Sequence, residues 1–276
     1  MHTAISPASL EISALTDVGL IRNLNEDCIA TDPKLGLLVL ADGMGGYKAG
    51  NVASELAVSS IVEVVGTGLK KHLDADTTSL LRKAIKGANR VIFEESQKLA
   101  QHSAAAAREQ VMGSTVALLV LRDGHITTAH VGDSRIYRLR NGRLELLTHD
   151  HSLLQEQIDL GIVSAKDAET SHNRHLVTRG LGLQADVNVT LGGGPAQVGD
   201  VYLLCSDGLN DMVDDADIEL VLNSLQGNLP LAARQLVMIA NDNGGEDNIS
   251  VILAKIGPEP TAAGTIGNFF SRLFGR

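Results

Sequence analysis

The chain has few cysteines, few aromatic residues and no tryptophan. Of its 276 residues only 3% are aromatic, and the two cysteines are Cys28 and Cys205. Two widely separated cysteines without a CxxC pair exclude a disulfide framework and a cysteine-based zinc site. Cys205 follows an apolar run, and we interpret it as a small buried hydrophobe rather than a nucleophile. Low cysteine usage indicates a reducing, cytoplasmic location.

The sequence also lacks a basic stripe and a long uncharged apolar run. Its net charge is -10 and its pI is near 5.3, which excludes a general nucleic-acid binder. No stretch of 18 uncharged apolar residues occurs, and the N-terminus has no basic segment followed by an apolar one. We therefore predict neither a membrane span nor a signal peptide. A hydrophobic fraction of 44% supports one compact domain with a full core.

Periodicity predicts blocks of strands with helices inserted in pairs. Residues 10–17 alternate with period two, whereas residues 48–65 and 77–101 have helical patterns. The dipeptide Asn141-Gly142 predicts a type I′ hairpin. Gly192 to Gly194 has no following Lys-Ser/Thr, so we interpret it as a loop without phosphate-binding function. This order does not fit regular βαβ alternation and favours a sandwich of antiparallel sheets covered by helices.

Four apolar runs end at an aspartate, namely Asp42, Asp133, Asp207 and Asp247. For any single Asp-Gly, a hairpin turn is the simpler interpretation. Four such ends together can form a cage of oxygen ligands for Mg²⁺ or Mn²⁺. Two such ions about 3.5–4 Å apart can bridge a water and lower its pKa. A metal-dependent hydrolase is therefore predicted.

Other residues near these ends suit a phosphate substrate. Arg22 can bind a phosphate in a bidentate way, although surface arginines are common. The glycines at 43, 45 and 46 allow the backbone to approach an ion closely. His149 and His151 flank an aspartate, but at a loop-to-helix junction we expect them to cap or pack rather than to bind metal.

Eight motifs, in order, resemble those of the metal-dependent protein phosphatase (PPM) family, also called protein phosphatase type 2C, and in particular its short bacterial members. The resemblance extends from about Glu11 to Ile256. The motifs are RNLNED (22–27), ADGMGG (41–46), GSTVALLVL (113–121), HVGDSRIYRLRNG (130–142), THDHS (148–152), LVTRGLG (176–182), CSDGLND (205–211) and EDNISV (246–251).

The resemblance implies an α+β fold, a four-layer α-β-β-α sandwich with two central antiparallel sheets and a dinuclear metal site at one end. The phosphatase domain would occupy residues 1–257 and include a mobile flap at about 149–178. Residues 258–276 would form a tail. Three of the four phenylalanines lie in this tail, which would fold back or remain disordered; docking on a partner or a membrane surface is the alternative.

By the same resemblance, Asp42 should bridge both Mn²⁺ or Mg²⁺ ions, with Asp207 and Asp247 completing the first site. The Gly43 carbonyl should serve the second ion. Asp133 should join Asp207 in a weaker third site.

Four further residues have implied supporting roles. Glu26 and Asp27 would act through metal-bound waters or behind the direct ligands. Asn248 should steady Asp247, and Arg22 should receive the phosphoryl group.

The implied activity is hydrolysis of phosphoserine and phosphothreonine in proteins by direct attack of metal-activated hydroxide. The enzyme would be a monomer that reverses a bacterial Ser/Thr kinase. Tyr47 stands where bacterial members usually have a histidine that is a proposed general acid, and a phenol is the poorer proton donor at neutral pH. The alternative is a catalytically impaired phosphoprotein-binding pseudo-phosphatase. A two-metal nuclease is disfavoured by the acidic charge.

Overall fold

Two antiparallel sheets lie between two layers of helices in the computed structural model of the protein, which describes residues 9–45, 49–71, 76–102, 112–164 and 176–258. In chain order the elements are β1 (Leu10–Asp17), β2 (Asp27–Asp32), β3 (Leu37–Met44), α1 (Ala49–Lys71), α2 (Thr77–His102), β4 (Gly113–Ser114), β5 (Val116–Arg122), β6 (His125–Val131), β7 (Arg135–Arg140), β8 (Arg143–Leu146), α3 (Leu153–Asp159), β9 (Thr190–Pro195), β10 (Val201–Cys205), α4 (Asp207–Asn210), α5 (Asp215–Leu225), α6 (Leu229–Asp242) and β11 (Ile249–Ile256).

The strands form a five-stranded and a six-stranded sheet. The first has the order β1-β11-β10-β7-β8, and the second has the order β2-β3-β5-β6-β9, with β4 paired to β3. Every pairing is antiparallel. The predicted α-β-β-α sandwich is confirmed in its sheets and helical layers.

Side-chain alternation assigns the two faces of each strand to different layers. In β3, Leu38 and Leu40 join the core between the sheets, whereas Val39 packs with α1 and α2. In β10, Leu204 faces the other sheet and Leu203 packs with α5 and α6. Both strands are apolar on both faces because both faces are covered.

Helix α1 is the one described helix that is long and apolar enough, by length and composition, to cross a membrane. Its residues Ala53, Ala57 and Ile61 are fully buried in the core shared with α2 and the six-stranded sheet. Packing inside the domain therefore accounts for its apolar character.

The local predictions succeed where turn chemistry is explicit. Asn141 and Gly142 have φ angles of 52° and 80°, which confirms the hairpin between β7 and β8. The prediction of a loop at Gly192 to Gly194 was wrong, because these residues pair with β6 as the centre of β9. A Cβ on Gly192 would lie 2.8 Å from Thr128 Oγ1, so close packing against β6 favours glycine in this edge strand.

Candidate metal centre

Asp27 and Asp42 face each other at the end of the β2–β3 ladder. They are register partners in this antiparallel pair. Side chains in directly opposed positions are neighbours, and two like charges there repel each other. Asp42 is also surrounded by Asp207, Asp133 and Asp247, whose charges act on it. The strand ends thus gather carboxylates that need a positive counter-charge.

The position of Asp42 is fixed by hydroxyl residues from the GST motif. The Asp42 main-chain N–H donates to Thr115 Oγ1 at 3.0 Å, and the Asp42 carbonyl accepts from Ser114 Oγ at 2.9 Å. The Thr115 hydroxyl also contacts Ser134 Oγ at 2.6 Å, next to Asp133. The motif was recognised in the sequence but given no role; here it connects strand β3, which carries Asp42, to the loop that carries Asp133.

Asp207 and Asp247 lie next to the paired ends of β10 and β11. Cys205 pairs with Val251, and the Ser206 N–H donates to the Ser250 carbonyl at 3.1 Å. Asp207 therefore follows β10, and Asp247 precedes β11, at the same end of the five-stranded sheet. Ser206 Oγ also donates to Asp27 Oδ2 at 2.8 Å, which links the two sheets at the site. Sequence reasoning missed Ser206, although its place directly before an aspartate at a strand end was a usable signal.

Asn248 contacts both the Asp247 side chain and the β1–β2 loop. Its main-chain N–H donates to Asp247 Oδ1 at 2.8 Å. Its side-chain amide donates to the carbonyls of Val18 and Leu24, both at 3.0 Å, and accepts from the Glu26 N–H at 2.7 Å. One buried amide therefore positions the segment that contains Arg22 and Glu26.

Arg22 lies at the mouth of the site, where its Nη2 donates to Asp247 Oδ2 at 2.7 Å. The Arg22 side chain is 50% exposed. The guanidinium is thus anchored by a site carboxylate while part of its surface faces solvent, as a phosphate ligand would require.

Glu26 and Gly43 meet the start of α1. The Glu26 carboxylate accepts hydrogen bonds from the N–H groups of Asn51 and Gly50, which are orphan donors of a helix N-terminus. A Cβ on Gly43 would lie 2.0 Å from the Gly50 carbonyl oxygen, so no other residue fits there. This close approach holds the Gly43 main chain at the cavity wall, where Gly43 is one of the lining residues.

Asp133 lies in the β6–β7 loop, is buried, and is tied to the base of the predicted flap. Gly132 N–H donates to His151 Nδ1 at 3.1 Å, and the Thr178 N–H donates to the His151 carbonyl at 2.8 Å. His151 also stacks on His130, with ring centroids 4.7 Å apart. His151 is thus packed inside the domain, whereas His149 pairs with Asp159 at 2.7 Å.

Part of the described flap is buried in the domain. Ser152 and Val177 form an isolated bridge, and His151 and Ser152 are buried. The two ends of the flap thus form a short, packed stem. Residues 165–175 of the predicted flap, Tyr47, and the predicted tail from residue 259 onward lie outside the described residues.

Burial and mutual repulsion raise the pKa of the clustered carboxyl groups. The pKa of Asp42 lies well above its usual range because of burial and then the charge of Asp27. Burial likewise raises the pKa of Asp133, with Asp207 adding to the effect. Burial and neighbouring carboxylates raise the pKa of Asp27 to about 7, despite hydrogen bonds from Ser206 and Ser250. Cations would relieve this repulsion and restore the charged forms.

The donor set fits hard divalent cations that retain water ligands. Asp27 Oδ1 is buried without a hydrogen-bond partner, as expected for an oxygen reserved for an ion or its water. Among the described residues, no three His, Cys, Asp or Glu side chains converge closely enough to hold an ion by themselves. Mg²⁺ binds through few carboxylates and keeps several waters, so a wide ring of oxygen ligands suits it and Mn²⁺.

These groups border a cavity of about 560 Å³. Its walls include Arg22, Asp42, Gly43, Asp133, Asp207 and Asp247, and apolar contributions come from Met44, Leu176, Val177 and Met212. A second cavity of about 350 Å³ shares Asp133 and Asp207 and extends along α3 of the flap. The larger cavity unites Asp42, Asp133, Asp207 and Asp247 with the predicted phosphate-binding arginine.

Comparison with known proteins decides the family. The family model described as protein phosphatase 2C matches residues 23–237. The chain belongs to the protein phosphatase 2C family. A serine/threonine phosphatase, stp, from Listeria innocua is 35% identical over 245 residues, covering 87% of this chain and 93% of its own. The predicted family is thereby confirmed.

Solved structures agree with this membership. The Mycobacterium tuberculosis serine/threonine phosphatase PstP/Ppp superposes with a TM-score of 0.79 at 33% identity, covering 90% of this chain and 99% of its own. The catalytic domain of serine threonine protein phosphatase PstP in complex with two manganese ions superposes with a TM-score of 0.76 at 32% identity, with 90% and 98% coverage. The shared fold confirms the predicted fold class of this protein phosphatase 2C member.

Proposed function

We propose that this protein phosphatase 2C member hydrolyses phosphoserine and phosphothreonine in proteins with the help of Mn²⁺ or Mg²⁺. The observation that carries the proposal is the union of Asp42, Asp133, Asp207 and Asp247 with Arg22 in one cavity. Two findings support it: the related proteins are serine/threonine phosphatases, and one structural relative contains two manganese ions. The acidic lining suits cations and disfavours a nucleic-acid backbone.

In this proposal, Asp42, Asp207, Asp247 and the Gly43 carbonyl would hold the two ions, with Asp42 shared between them. The bound ions would lower the pKa of a water, supply hydroxide for direct attack on phosphorus, and neutralise the phosphate dianion. Without such help, phosphate monoesters hydrolyse extremely slowly.

Asp27 and Glu26 support this arrangement from behind. Asp27, held by Ser206, keeps one buried carboxylate oxygen without a partner, and this oxygen would accept a hydrogen bond from a water. Glu26, engaged with the start of α1, keeps the β1–β2 loop against the Gly43 segment. Asp133, with Asp207, would hold a weaker third ion.

Arg22 would orient the phosphoryl group. Its guanidinium carries five N–H donors, so the single bond to Asp247 leaves donors for phosphate oxygens. Asp247 in turn limits the conformations of the long side chain, which lowers the entropy lost when the substrate is bound. Pairing with Asp247 therefore makes Arg22 a pre-organised ligand at the mouth of the cavity.

The finer features of the prediction also belong to this proposal. Release of the serine or threonine oxygen requires a proton, and Tyr47 is a weaker donor than histidine at neutral pH. Direct attack needs no protein nucleophile, and Cys205 packs in the core below the site. In the cell the enzyme would act as a cytoplasmic monomer on phosphoproteins made by a Ser/Thr kinase.

A phosphothreonine peptide distinguishes the enzyme from a pseudo-phosphatase that only binds phosphoproteins. Purified protein would be incubated with the peptide in Mn²⁺ and in EDTA, with free phosphate and bound peptide both measured. We expect phosphate release with Mn²⁺ and none with EDTA. Peptide binding without phosphate release would overturn the enzyme assignment in favour of the binding protein.

A further inference from the structure

Three apolar residues are exposed directly before the phosphate-binding arginine. Val18, Leu20 and Ile21 have exposed fractions of 37%, 66% and 67%, and together we call them the apolar ledge. Arg22, the next residue in the chain, lines the cavity of the metal centre. The ledge therefore directly precedes, along the chain, the arginine that would receive phosphate at the cavity.

The ledge is held rigidly although its side chains are exposed. The N–H groups of Leu20 and Ile21 both donate to the Gly245 carbonyl, at 2.8 and 3.3 Å. The Val18 carbonyl accepts from Asn248 Nδ2 at 3.0 Å. These bonds fasten the segment to the loop that precedes β11, the loop that also carries Asp247.

A glycine sets the direction of the ledge. Gly19 has φ = 76°, and a Cβ there would lie 2.3 Å from the Asp247 carbonyl oxygen. Its N–H donates to Asp17 Oδ1 at 2.9 Å, and that oxygen also accepts from Asn241 Nδ2 at 3.2 Å. The turn cannot easily rotate to bury Leu20 and Ile21 in the domain, because these contacts fix its backbone.

A fixed, exposed apolar surface beside a polar cleft is typical of an interaction site. The domain gains nothing from Leu20 and Ile21 while water covers them, since burial supplies the stabilisation of apolar side chains. A molecule whose phosphate lies on Arg22 would cover the neighbouring ledge. The occupant best supported by this continuity is the polypeptide on either side of the phosphorylated residue.

We propose that the apolar ledge binds an apolar side chain next to the phosphorylated residue of a protein substrate. This inference rests on the proposed phosphatase function. Adjacent residues of an extended peptide are about 3.3 Å apart along the chain, so a side chain one or two positions from the phosphorylated residue would reach Ile21 when Arg22 holds the phosphate. The ledge would thus set a preference for apolar flanking residues.

The charges around the ledge support this choice. Glu246 and Asp247 lie on the loop that holds the ledge, and both line the same cavity. Carboxylates this near would repel acidic residues flanking the phosphate, whereas an apolar side chain avoids that repulsion. Leu176, 51% exposed, is one of the apolar residues that line the cavity.

The test compares a peptide substrate with an aryl phosphate that has no flanking residues. Leu20→Ser and Ile21→Ser would be assayed with Mn²⁺ on a phosphothreonine peptide with leucine beside the phosphorylated residue, on the same peptide with that leucine replaced by serine, and on p-nitrophenyl phosphate. Leu220→Ser is the matched control, because Leu220 is 63% exposed on α5 and does not line the cavity. Thermal melting would confirm that all variants are folded.

We expect Ile21→Ser to lower kcat/KM roughly three- to tenfold on the leucine peptide, chiefly through KM, as partial loss of one buried apolar side chain implies. Turnover of the serine peptide and of p-nitrophenyl phosphate should stay within about twofold of the parent's. Leu220→Ser should match the parent on all three substrates.

Other results would overturn the proposal that the ledge binds the substrate. Equal loss on all three substrates would mean that the ledge only supports Arg22 structurally, and unchanged turnover would mean that it does not contact the substrate. Concentration-dependent self-association that Ile21→Ser removes, with peptide turnover unchanged, would assign the ledge to a second copy of the chain. Absence of turnover by the parent on every substrate would instead overturn the proposed phosphatase function, and with it the proposed role of the ledge in substrate binding.

Discussion

Asp27 and Asp42 stand opposite each other in the β2–β3 ladder, so two carboxyl groups share the end of one strand pair. Like charges in this arrangement destabilise a sheet. Burial adds to the cost, as shown by the raised pKa of both groups. The fold therefore places an unfavourable electrostatic contact at the predicted metal centre, where a cation would make it favourable.

Removing one of these carboxylates should separate folding from metal binding. Without Mn²⁺, Asp42→Asn should be at least as stable as the parent, because it removes a buried carboxyl group from a repulsive cluster. Mn²⁺ at about 100 times its Kd should stabilise the parent by about 2.7 kcal/mol, and the variant far less. Thermal melting in Mn²⁺ and in EDTA measures both effects.

Asp186→Asn is the control for this experiment, since Asp186 forms an exposed salt bridge with Lys86. It should show the full response to Mn²⁺. An undiminished Mn²⁺ response of Asp42→Asn would remove Asp42 from the metal centre.

Replacing Arg22 should weaken the phosphoryl contact without removing the metal centre. Hydrogen bonds to charged groups contribute about 1.5–3 kcal/mol, so Arg22→Ala should lower kcat/KM on a phosphothreonine peptide about 10- to 100-fold. The kcat/KM of Arg22→Lys should lie between those of the parent and Arg22→Ala, because lysine keeps the charge but lacks the planar guanidinium. Steady-state kinetics with saturating Mn²⁺ would show this order, and a rate for Arg22→Ala within twofold of the parent's would exclude a phosphate-binding role.

Asn248 should contribute strongly to stability, since its side chain makes three hydrogen bonds that hold the β1–β2 loop. Asn248→Ala leaves these three part-buried main-chain groups without their partner and should reduce the free energy of unfolding by about 2–4 kcal/mol in urea denaturation. Asn223→Ala loses one exposed bond, to the Gly142 carbonyl, and should cost about 1 kcal/mol or less. Equal losses of unfolding free energy in the two variants would contradict the role of Asn248 in holding the β1–β2 loop.

His151 should make the stability of the protein decrease in acid. Burial, reinforced by His130 and Arg179, lowers the pKa of His151 to about 3, while an unfolded chain would have a value near 6.5. Below pH ~6.5 the unfolded chain binds a proton that the folded protein does not, so stability falls as the pH falls.

Between pH 7 and pH 5 the parent should lose about 1–2 kcal/mol relative to His151→Gln, which lacks the titrating group. Urea denaturation at both pH values measures this difference. Parallel pH profiles for the two proteins would show that His151 does not titrate as its burial requires.

Tyr47 should limit only reactions with poor leaving groups. A phenol has a pKa of about 10 and a histidine about 6.5, so Tyr47→His should speed hydrolysis of a phosphothreonine peptide at neutral pH. An aryl phosphate needs little acid assistance and should be unaffected. An equal effect on both substrates would exclude Tyr47 from leaving-group protonation.

The sequence predicted the strands, the β7–β8 hairpin and the family, because each depends on local chemistry or on motif order. Asn141-Gly142 carries its turn geometry in two residues. The triple glycine at 192–194 was misassigned because its strand pairing depends on distant β6, which no local pattern contains. Helix α1 is long and apolar enough to cross a membrane, and only its contacts with the core account for that apolar character.

The sequence predicted the carboxylates of the site and a supporting role for Asn248, but it gave no role to Thr115 and Ser206. Each aspartate follows or precedes an apolar run, which the sequence shows directly. The roles of Thr115, Ser206 and Asn248 depend on partners dozens to hundreds of positions away, such as Asp42, Asp27 and Val18. Hydroxyl residues are common in loops, so only the assembled sheets distinguish Thr115 and Ser206, and only they show that Asn248 also holds the β1–β2 loop.

Phosphate release from a phosphothreonine peptide with Mn²⁺, compared between the parent, Asp207→Asn and Asp186→Asn, tests most directly whether the gathered aspartates form a catalytic metal centre. The parent and Asp186→Asn should release phosphate at similar rates, and Asp207→Asn should be slower by at least roughly 100-fold, as expected when a ligand that stabilises transition-state charge is lost. Equal rates for Asp207→Asn and the parent would contradict the metal centre described above.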